Sequence, residues 1–160
     1  MTVGGIDPGL KGAVASWDGR QLTLLEIPAI VAASGKGREV DWSMLRSGLD
    51  LLFSEVGHFF VEKVWPLPKQ SSVAGFKQGF VAGGIRGLLA ASRTPLTYVP
   101  PTTWKKAVGA SADKRQCVSR ACEIFPKHAE LFRGPQGGLK DGLAEAALIA
   151  WYGHGKLNGA

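Results

Sequence analysis

The chain has 160 residues, 45% of them hydrophobic, a length that suits one full-sized core and is short for two. Nineteen Lys and Arg against 13 Asp and Glu give a net charge of +6, which favours a polyanionic partner such as nucleic acid but does not distinguish DNA, RNA and membrane surfaces. Cys117 and Cys122 form neither a disulfide framework nor a recognisable zinc motif, and no apolar run approaches the roughly 20 residues that span a bilayer. No basic-then-apolar leader follows Met1. We therefore expect a single cytoplasmic domain, residues 1–160, without a membrane partner.

The first forty residues are rich in strand signals. Residues 2–6, 12–17 and 21–27 predict short strands, and Asp18-Gly19 is a strong hairpin turn before the third. The chain therefore opens with a β-meander. Residues 28–38 are loop-like and end in the basic stretch SGKGR, which is either a solvated connector or a segment that follows a phosphate backbone.

A helix and a buried strand follow the meander. Asp41 suits a helix N-cap, and apolar residues at helical spacing from Leu45 to Phe53 predict a helix that packs on the sheet. Residues 58–64, HFFVEKV, predict a buried strand that one acid, Glu62, interrupts and that the following prolines end.

Four glycines recur at every fourth position within residues 70–92, so that all of them fall on one helical face. Each glycine weakens a helix by about 1 kcal/mol relative to alanine, so the pattern predicts close backbone approach to a partner. The sheet of the same chain and a second subunit are equal alternatives. This glycine stripe consists of Gly75, Gly79, Gly83 and Gly87.

The remaining chain alternates between strands and helices. Residues 96–99 predict a strand, Thr102 or Thr103 is the expected cap of the short helix after it, and residues 114–125 predict another helix.

A flexible loop, residues 133–140, precedes the last helix, which we expect to begin at Leu139 or Asp141 and to end near Gly153. The order of the elements, with strands first and then alternating helices and strands, predicts an α/β fold. Such a fold has a mixed sheet with helices on its faces.

Four carboxylates stand where the hydrophobic pattern favours other residues. Asp7 ends a strand, Glu62 interrupts another, and Asp141 and Glu145 lie four apart on one face of the last helix. A cluster of buried carboxylates is stable mainly when divalent cations neutralise it, and oxygen ligands alone suit Mg²⁺ or Mn²⁺. Two such ions about 4 Å apart catalyse phosphodiester cleavage, a chemistry that fits a basic protein.

Each acid also has a purely structural interpretation. Asp7 before Pro8-Gly9 suits a turn, Glu62 suits a lysine partner, and Asp141 complements a helix dipole. An aspartate followed by glycines also resembles the phosphate loop of actin-like phosphotransferases, but that fold needs a second glycine-rich domain for which 160 residues leave no room. The four acids together, in a basic chain, favour the metal site.

With these residues placed, the chain resembles the RuvC-like Holliday junction resolvases of the ribonuclease H-like superfamily, in particular the short phage-type members. The stretches that carry the resemblance are GIDPGLKGA, VEKVW, the glycine stripe, YVPPTTWKKAVG with DKRQ, and KDGLAEAALIA, in the family's order over nearly the whole chain. The resemblance implies a five-stranded mixed sheet flanked by helices and a homodimer, in which the glycine stripe is our candidate interface. It also implies metal-dependent paired nicks at four-way DNA junctions, in recombination or phage DNA processing within a bacterial or phage-infected cell.

The resemblance assigns roles to residues at matching positions. It implies that the four acids bind two Mg²⁺ or Mn²⁺ ions and catalyse cleavage, with Lys114 stabilising negative charge. In bacterial members the last helix carries two aspartates three apart; here alignment puts Glu145 at the second position and Gly142 at the first, which leaves open whether Asp141 reaches the metal. The expected DNA-binding residues are Trp65, at the junction centre, and Lys69, Lys77, Lys105, Lys106 and Lys114.

Two further functions stay open at this point. A ribonuclease H-fold nuclease acting on other branched DNA or on RNA–DNA hybrids has the same acids, and a non-catalytic junction-binding protein has the same basic surface.

Overall fold

The structure is a computed structural model that describes residues 1–66, 69–134 and 137–159. The strands of the described chain are β1 Val3–Asp7, β2 Ala13–Trp17, β3 Leu22–Glu26, β4 Ala29–Val31, β5 Arg38–Val40, β6 His58–Glu62 and β7 Leu96–Val99. The helices are α1 Trp42–Leu52, α2 Ser72–Ser92, α3 Pro101–Val108, α4 Lys114–Ile124 and α5 Asp141–Asn158, with a 3₁₀ helix at Pro126–Phe132. Among these helices, none is long and apolar enough to cross a bilayer.

A five-stranded mixed sheet in the order β3-β2-β1-β6-β7 forms the centre of the fold. The predicted meander β1-β2-β3 is antiparallel, whereas β6 and β7 join β1 in parallel. Ile6 pairs with Val61, so the next residues, Asp7 and Glu62, end neighbouring strands at the same edge of the sheet. The mixed sheet predicted from the order of elements is confirmed, and it brings two of the four acids together.

Helix α5 lies directly against the central strand. A Cβ atom added to Gly5 would lie 2.2 Å from both the carbonyl oxygen of Ala146 and the amide nitrogen of Ala150, so strand and helix backbones are in contact. Farther along α5, Gly153 leaves room for the ring of Phe60. This close approach places the first turns of α5 beside the carboxyl end of β1.

The two faces of the sheet carry separate hydrophobic layers. Helices α3, α4 and α5 cover one face, and α1 and α2 cover the other. Asp41 caps α1 as predicted, because its side chain accepts a hydrogen bond from the amide of Met44. Cys117 is buried, Cys122 is partly buried, and both are free thiols.

The glycine stripe on α2 points away from the sheet. Apart from the adjoining backbone of α2, no atom in the described part of the chain lies within 4 Å of a Cβ built at Gly79, Gly83 or Gly87. Close packing instead falls on Gly84, where a Cβ would lie 2.2 Å from the ring of Trp42. The prediction that the glycine stripe packs against the sheet of the same chain is therefore wrong. Its packing against a second subunit stays a prediction.

The structure departs from the sequence expectations in residues 28–38. Instead of a plain loop, this stretch contains β4 and the start of β5, which pair as a two-stranded ribbon apart from the main sheet. Strands of three residues are too short to show a clear alternation of apolar and polar side chains.

Two helix ends also differ from expectation. Helix α3 begins at Pro101, before the expected caps Thr102 and Thr103, because proline suits the first helical position. Its N-cap residue is Pro100, whose side chain has no hydrogen-bond acceptor. Helix α5 continues past Gly153 to Asn158, because tertiary packing outweighs the low helix propensity of its glycines.

Candidate metal centre

Three of the four predicted acids meet at the carboxyl end of the central strands. Asp7 ends β1, Glu62 ends β6, and Glu145 lies in the second turn of α5. Each contributes a carboxylate oxygen to a group in which all such atoms lie within 4.8 Å of one another. All three residues are partly buried. We call this group the carboxylate cluster.

The electrostatics of the cluster favour a bound cation. Burial, followed by the negative charges of Glu145 and Glu62, raises the pKa of Asp7 from 3.8 to about 8. Burial also raises the pKa of Glu62, although a hydrogen bond from Trp104 opposes the shift. An oxygen-only donor set that resists ionisation in this way fits a divalent cation such as Mg²⁺ or Mn²⁺, which relieves the repulsion among the carboxylates.

Lys105 provides the cluster with an internal positive charge. Its Nζ donates a hydrogen bond of 2.7 Å to Glu145 Oε1, and the two side chains are only 17% and 16% exposed. Burial alone lowers the pKa of Lys105, but the hydrogen bond and charge of Glu145 outweigh it, and the net shift is upward. Lys105 is therefore an ammonium group within the site, rather than on the open surface.

Asp141 lies outside the carboxylate cluster and forms an ion pair with Lys114. The hydrogen bond from Lys114 to Asp141 is the main cause of a raised pKa of that lysine. The neighbouring position on α5 is closed to any acid, since a Cβ at Gly142 would lie 2.3 Å from the carbonyl oxygen of Lys11. The structure thus brings together Asp7, Glu62 and Glu145 and places Asp141 beside a lysine.

Trp104 is a site residue that the sequence reasoning missed. It is fully buried in α3, and its Nε1 donates a hydrogen bond of 2.8 Å to Glu62 Oε2. The two residues are 42 positions apart, and the only sequence signal is that Trp104 directly precedes Lys105 in the motif WKKAV.

Cys117 is a second neighbour of the cluster, with its Sγ 3.9 Å from Glu145 Oε1. Burial, reinforced by the charge of Glu145, raises the pKa of this thiol to about 12. It therefore stays protonated and unreactive at neutral pH.

The predicted DNA-binding residues differ in their exposure. Trp65, three residues after the strand acid, is 57% exposed, and the Nζ of Lys63 lies 4.1 Å from its ring centroid. Lys105 is the exception among the predicted lysines, because it turns into the site. The side chains that remain on the surface are those of Lys69, Lys77, Lys106 and Lys114.

No protein-family model and no curated protein sequence matches the chain. Among solved structures, the chain is similar to T. thermophilus RuvC in complex with Holliday junction substrate, with 18% identity, a TM-score of 0.61, and coverage of 95% of this chain and 91% of that chain. A second structure of Thermus thermophilus RuvC gives 15% identity, a TM-score of 0.58, and coverage of 99% and 97%. The fowlpox virus Holliday junction resolvase gives 15% identity, a TM-score of 0.49, and coverage of 98% and 99%.

Both RuvC structures match over nearly the full length of this chain. At sequence identities of 18% and 15%, this likeness shows a shared fold. The protein therefore has the ribonuclease H-like fold of the RuvC resolvases, the fold that the sequence resemblance predicts.

Proposed function

We propose that the protein is a divalent-metal-dependent endonuclease that cleaves four-way DNA junctions in recombination or phage DNA processing. The observation that carries the proposal is the carboxylate cluster of Asp7, Glu62 and Glu145, with oxygens within 4.8 Å of one another at the end of a RuvC-like sheet. The fold likeness to T. thermophilus RuvC, whose structure is in complex with Holliday junction substrate, supports the choice of DNA substrate.

The cluster would hold two Mg²⁺ or Mn²⁺ ions, with Asp7 as the donor on the central strand. When bound, such ions supply charge stabilisation and an activated water for phosphodiester hydrolysis. Asp7 must give up its proton to bind a cation at neutral pH, because its pKa is about 8 without one. Glu62 of β6 and Glu145 of α5 would complete the donor set.

Two lysines would act on the phosphate at this site. The ammonium group of Lys105 is largely buried and held beside the carboxylate cluster by Glu145, where it would stabilise the negative charge of a bound phosphate. Lys114, the first residue of α4, has a side chain that is 71% exposed. Its ammonium group forms an ion pair with Asp141, the first residue of α5. Donors fixed in advance stabilise the charge that develops in hydrolysis without a reorganisation cost.

The surface around the site supports binding to branched DNA. Exposed Trp65 would stack on an unpaired base at the junction centre, which is worth about 1 to 3 kcal/mol in comparable sites. The exposed lysines Lys69, Lys77 and Lys106 would attract phosphates, so that binding weakens steeply as salt concentration rises.

A homodimer would supply two symmetric active sites for two symmetric nicks. The face of α2 that bears the glycine stripe is our candidate interface, because it is open to close approach and carries apolar rings. Phe76 and Phe80 are 72% and 57% exposed there, with ring centroids 6.1 Å apart.

A gel assay tests the proposal with four substrates: a four-way junction, a fork, a duplex and an RNA–DNA hybrid, each with Mg²⁺, Mn²⁺ or EDTA. We expect metal-dependent paired cleavage of the junction by the wild type, and binding without cleavage by Asp7→Asn and Glu62→Gln. Cleavage of hybrid but not junction would favour a different nuclease of the same fold. Junction binding without cleavage would favour a non-catalytic protein, and wild-type cleavage by both variants would refute the metal site.

A further inference from the structure

The hydrogen bond between Trp104 and Glu62 joins a rigid core residue to one of the three clustered acids. Trp104 has no solvent-exposed surface, and its Nε1 lies 2.8 Å from Glu62 Oε2. An indole ring has a single polar atom, which donates a hydrogen bond and accepts none. Because that atom is buried, its partner is needed to satisfy it, and Glu62 is that partner.

The bond limits the motion of the glutamate. A free glutamate side chain populates several rotamers, and fixing one of them costs conformational entropy. Here the hydrogen bond from Trp104 already restricts the carboxylate of Glu62, because the donor is fully buried in the core. The bond from Trp104 uses one acceptor site of Oε2, and a carboxylate has about four such sites in all.

The chemistry of the donor suits this role better than a charged residue would. An indole N–H is neutral, so it orients the carboxylate without cancelling the negative charge that attracts a cation. Lys105, next along the chain, lies with its Nζ 5.1 Å from the Trp104 ring centroid and bonds to Glu145 instead. Two consecutive residues of α3 therefore hold two different acids of the carboxylate cluster.

We propose that Trp104 is a positioning residue whose indole N–H fixes Glu62 for divalent-metal binding. The proposal rests on the function proposed above, because it needs the carboxylate cluster to bind a metal ion. Outer partners that orient metal ligands typically change metal affinity by about 10- to 100-fold when removed. A residue that only fills the core would affect stability and leave metal affinity unchanged once the protein is folded.

The test compares Trp104→Phe with Trp17→Phe by calorimetric titration of Mn²⁺ into the full chain without DNA. Trp17 is also an aromatic packing residue, with its ring centroid 5.1 Å from that of Phe125, and the same substitution there is the matched control. We expect Trp104→Phe to bind Mn²⁺ about 10- to 100-fold more weakly and Trp17→Phe to bind it as the wild type does. Circular dichroism establishes that each variant is folded before titration.

A third variant separates the lost N–H from the lost ring volume. Trp104→His leaves a larger void than Trp104→Phe but keeps a ring N–H donor, so we expect it to recover part of the Mn²⁺ affinity. Equal losses in the two variants would assign the effect to packing and overturn the proposal, as would wild-type affinity in folded Trp104→Phe.

A measurement on the wild type alone applies even if no variant folds. Among the five tryptophans, Trp104 is the fully buried one, so its indole N–H should exchange most slowly with solvent. We expect that slowly exchanging resonance to shift in ¹⁵N NMR spectra as Mg²⁺ is added, and an unchanged resonance on saturation would overturn the proposal. Absence of any metal binding by the wild type would instead refute the proposed function.

Discussion

Replacing Asp7 with asparagine removes a carboxyl group whose ionisation the fold resists. The pKa of this group is 3.8 in an unfolded chain and about 8 in the folded protein, mainly because of burial and then the charges of Glu145 and Glu62. Between these values the folded state holds a proton that the unfolded state has released. Stability of the metal-free wild type therefore falls as pH rises from about 4 to about 8, and Asp7→Asn does not share this loss.

The size of the effect follows from the shift in pKa. Four pKa units correspond to about 5 kcal/mol when the group is fully ionised in both states. Rearrangement of the neighbouring acids and water entry reduce this cost, so we expect Asp7→Asn to be more stable than the wild type by about 2 to 3 kcal/mol at pH 8.5. For a domain of this length, that difference raises the Tm by about 5 to 10 °C.

Thermal unfolding followed by circular dichroism in EDTA, at half-unit steps from pH 4 to pH 9, measures the difference directly. Asp50→Asn is the matched control, because it makes the same change in an exposed surface ion pair with Arg46 and should alter stability by less than about 0.5 kcal/mol at every pH. Saturating Mn²⁺ at pH 8.5 should stabilise the wild type and not Asp7→Asn. A difference in Tm that stays constant with pH, or equal stabilisation of both proteins by Mn²⁺, would contradict the raised pKa of Asp7 or its role as a metal ligand.

Five other substitutions test separate parts of the site and fold. Glu145→Gln should lower Mn²⁺ affinity in calorimetry by at least about 100-fold and Asp141→Asn by about tenfold or less, since Asp141 lies outside the carboxylate cluster; equal losses would contradict the assignment. Gly142→Ala should cost about 1 to 3 kcal/mol in chemical denaturation, because its Cβ meets backbone at 2.3 Å. Gly83→Ala, with open space around it, should stabilise the monomer by up to about 1 kcal/mol yet weaken self-association in sedimentation experiments, and unchanged association would exclude the glycine stripe from the interface. Trp65→Ala should weaken junction binding by about 1 to 3 kcal/mol in mobility-shift titrations and leave Mn²⁺ affinity unchanged, whereas unaltered junction binding would rule out base stacking.

The sequence predicts the parts of the fold that have a strong local pattern. Residues 96–99 match β7 at both ends, and Asp41 caps α1 as its side-chain chemistry predicts. The short strands β4 and β5 lack such a pattern, because three residues are too few to show a period.

The acids of the site are predictable because they stand where the hydrophobic pattern favours other residues, but their partners are not. Lys105 and Glu145 are 40 positions apart, and Trp104 and Glu62 are 42 apart. Both contacts depend on how α3 packs against β6 and α5, and no local sequence periodicity specifies that packing. For the same reason, the pairing of Asp141 with Lys114 becomes visible only in three dimensions.

The backbone contact between Gly5 and α5 has a consequence for mutational tolerance. The separation of Asp7 and Glu145 follows from the distance between strand and helix, and that distance is set by Gly5, Ala146 and Ala150. A single methyl group added at Gly5 would push the helix outward and carry Glu145 with it, although no charged atom is altered. A scan for inactivating substitutions should therefore find apolar positions, remote from any substrate, that are as intolerant of change as the acids themselves.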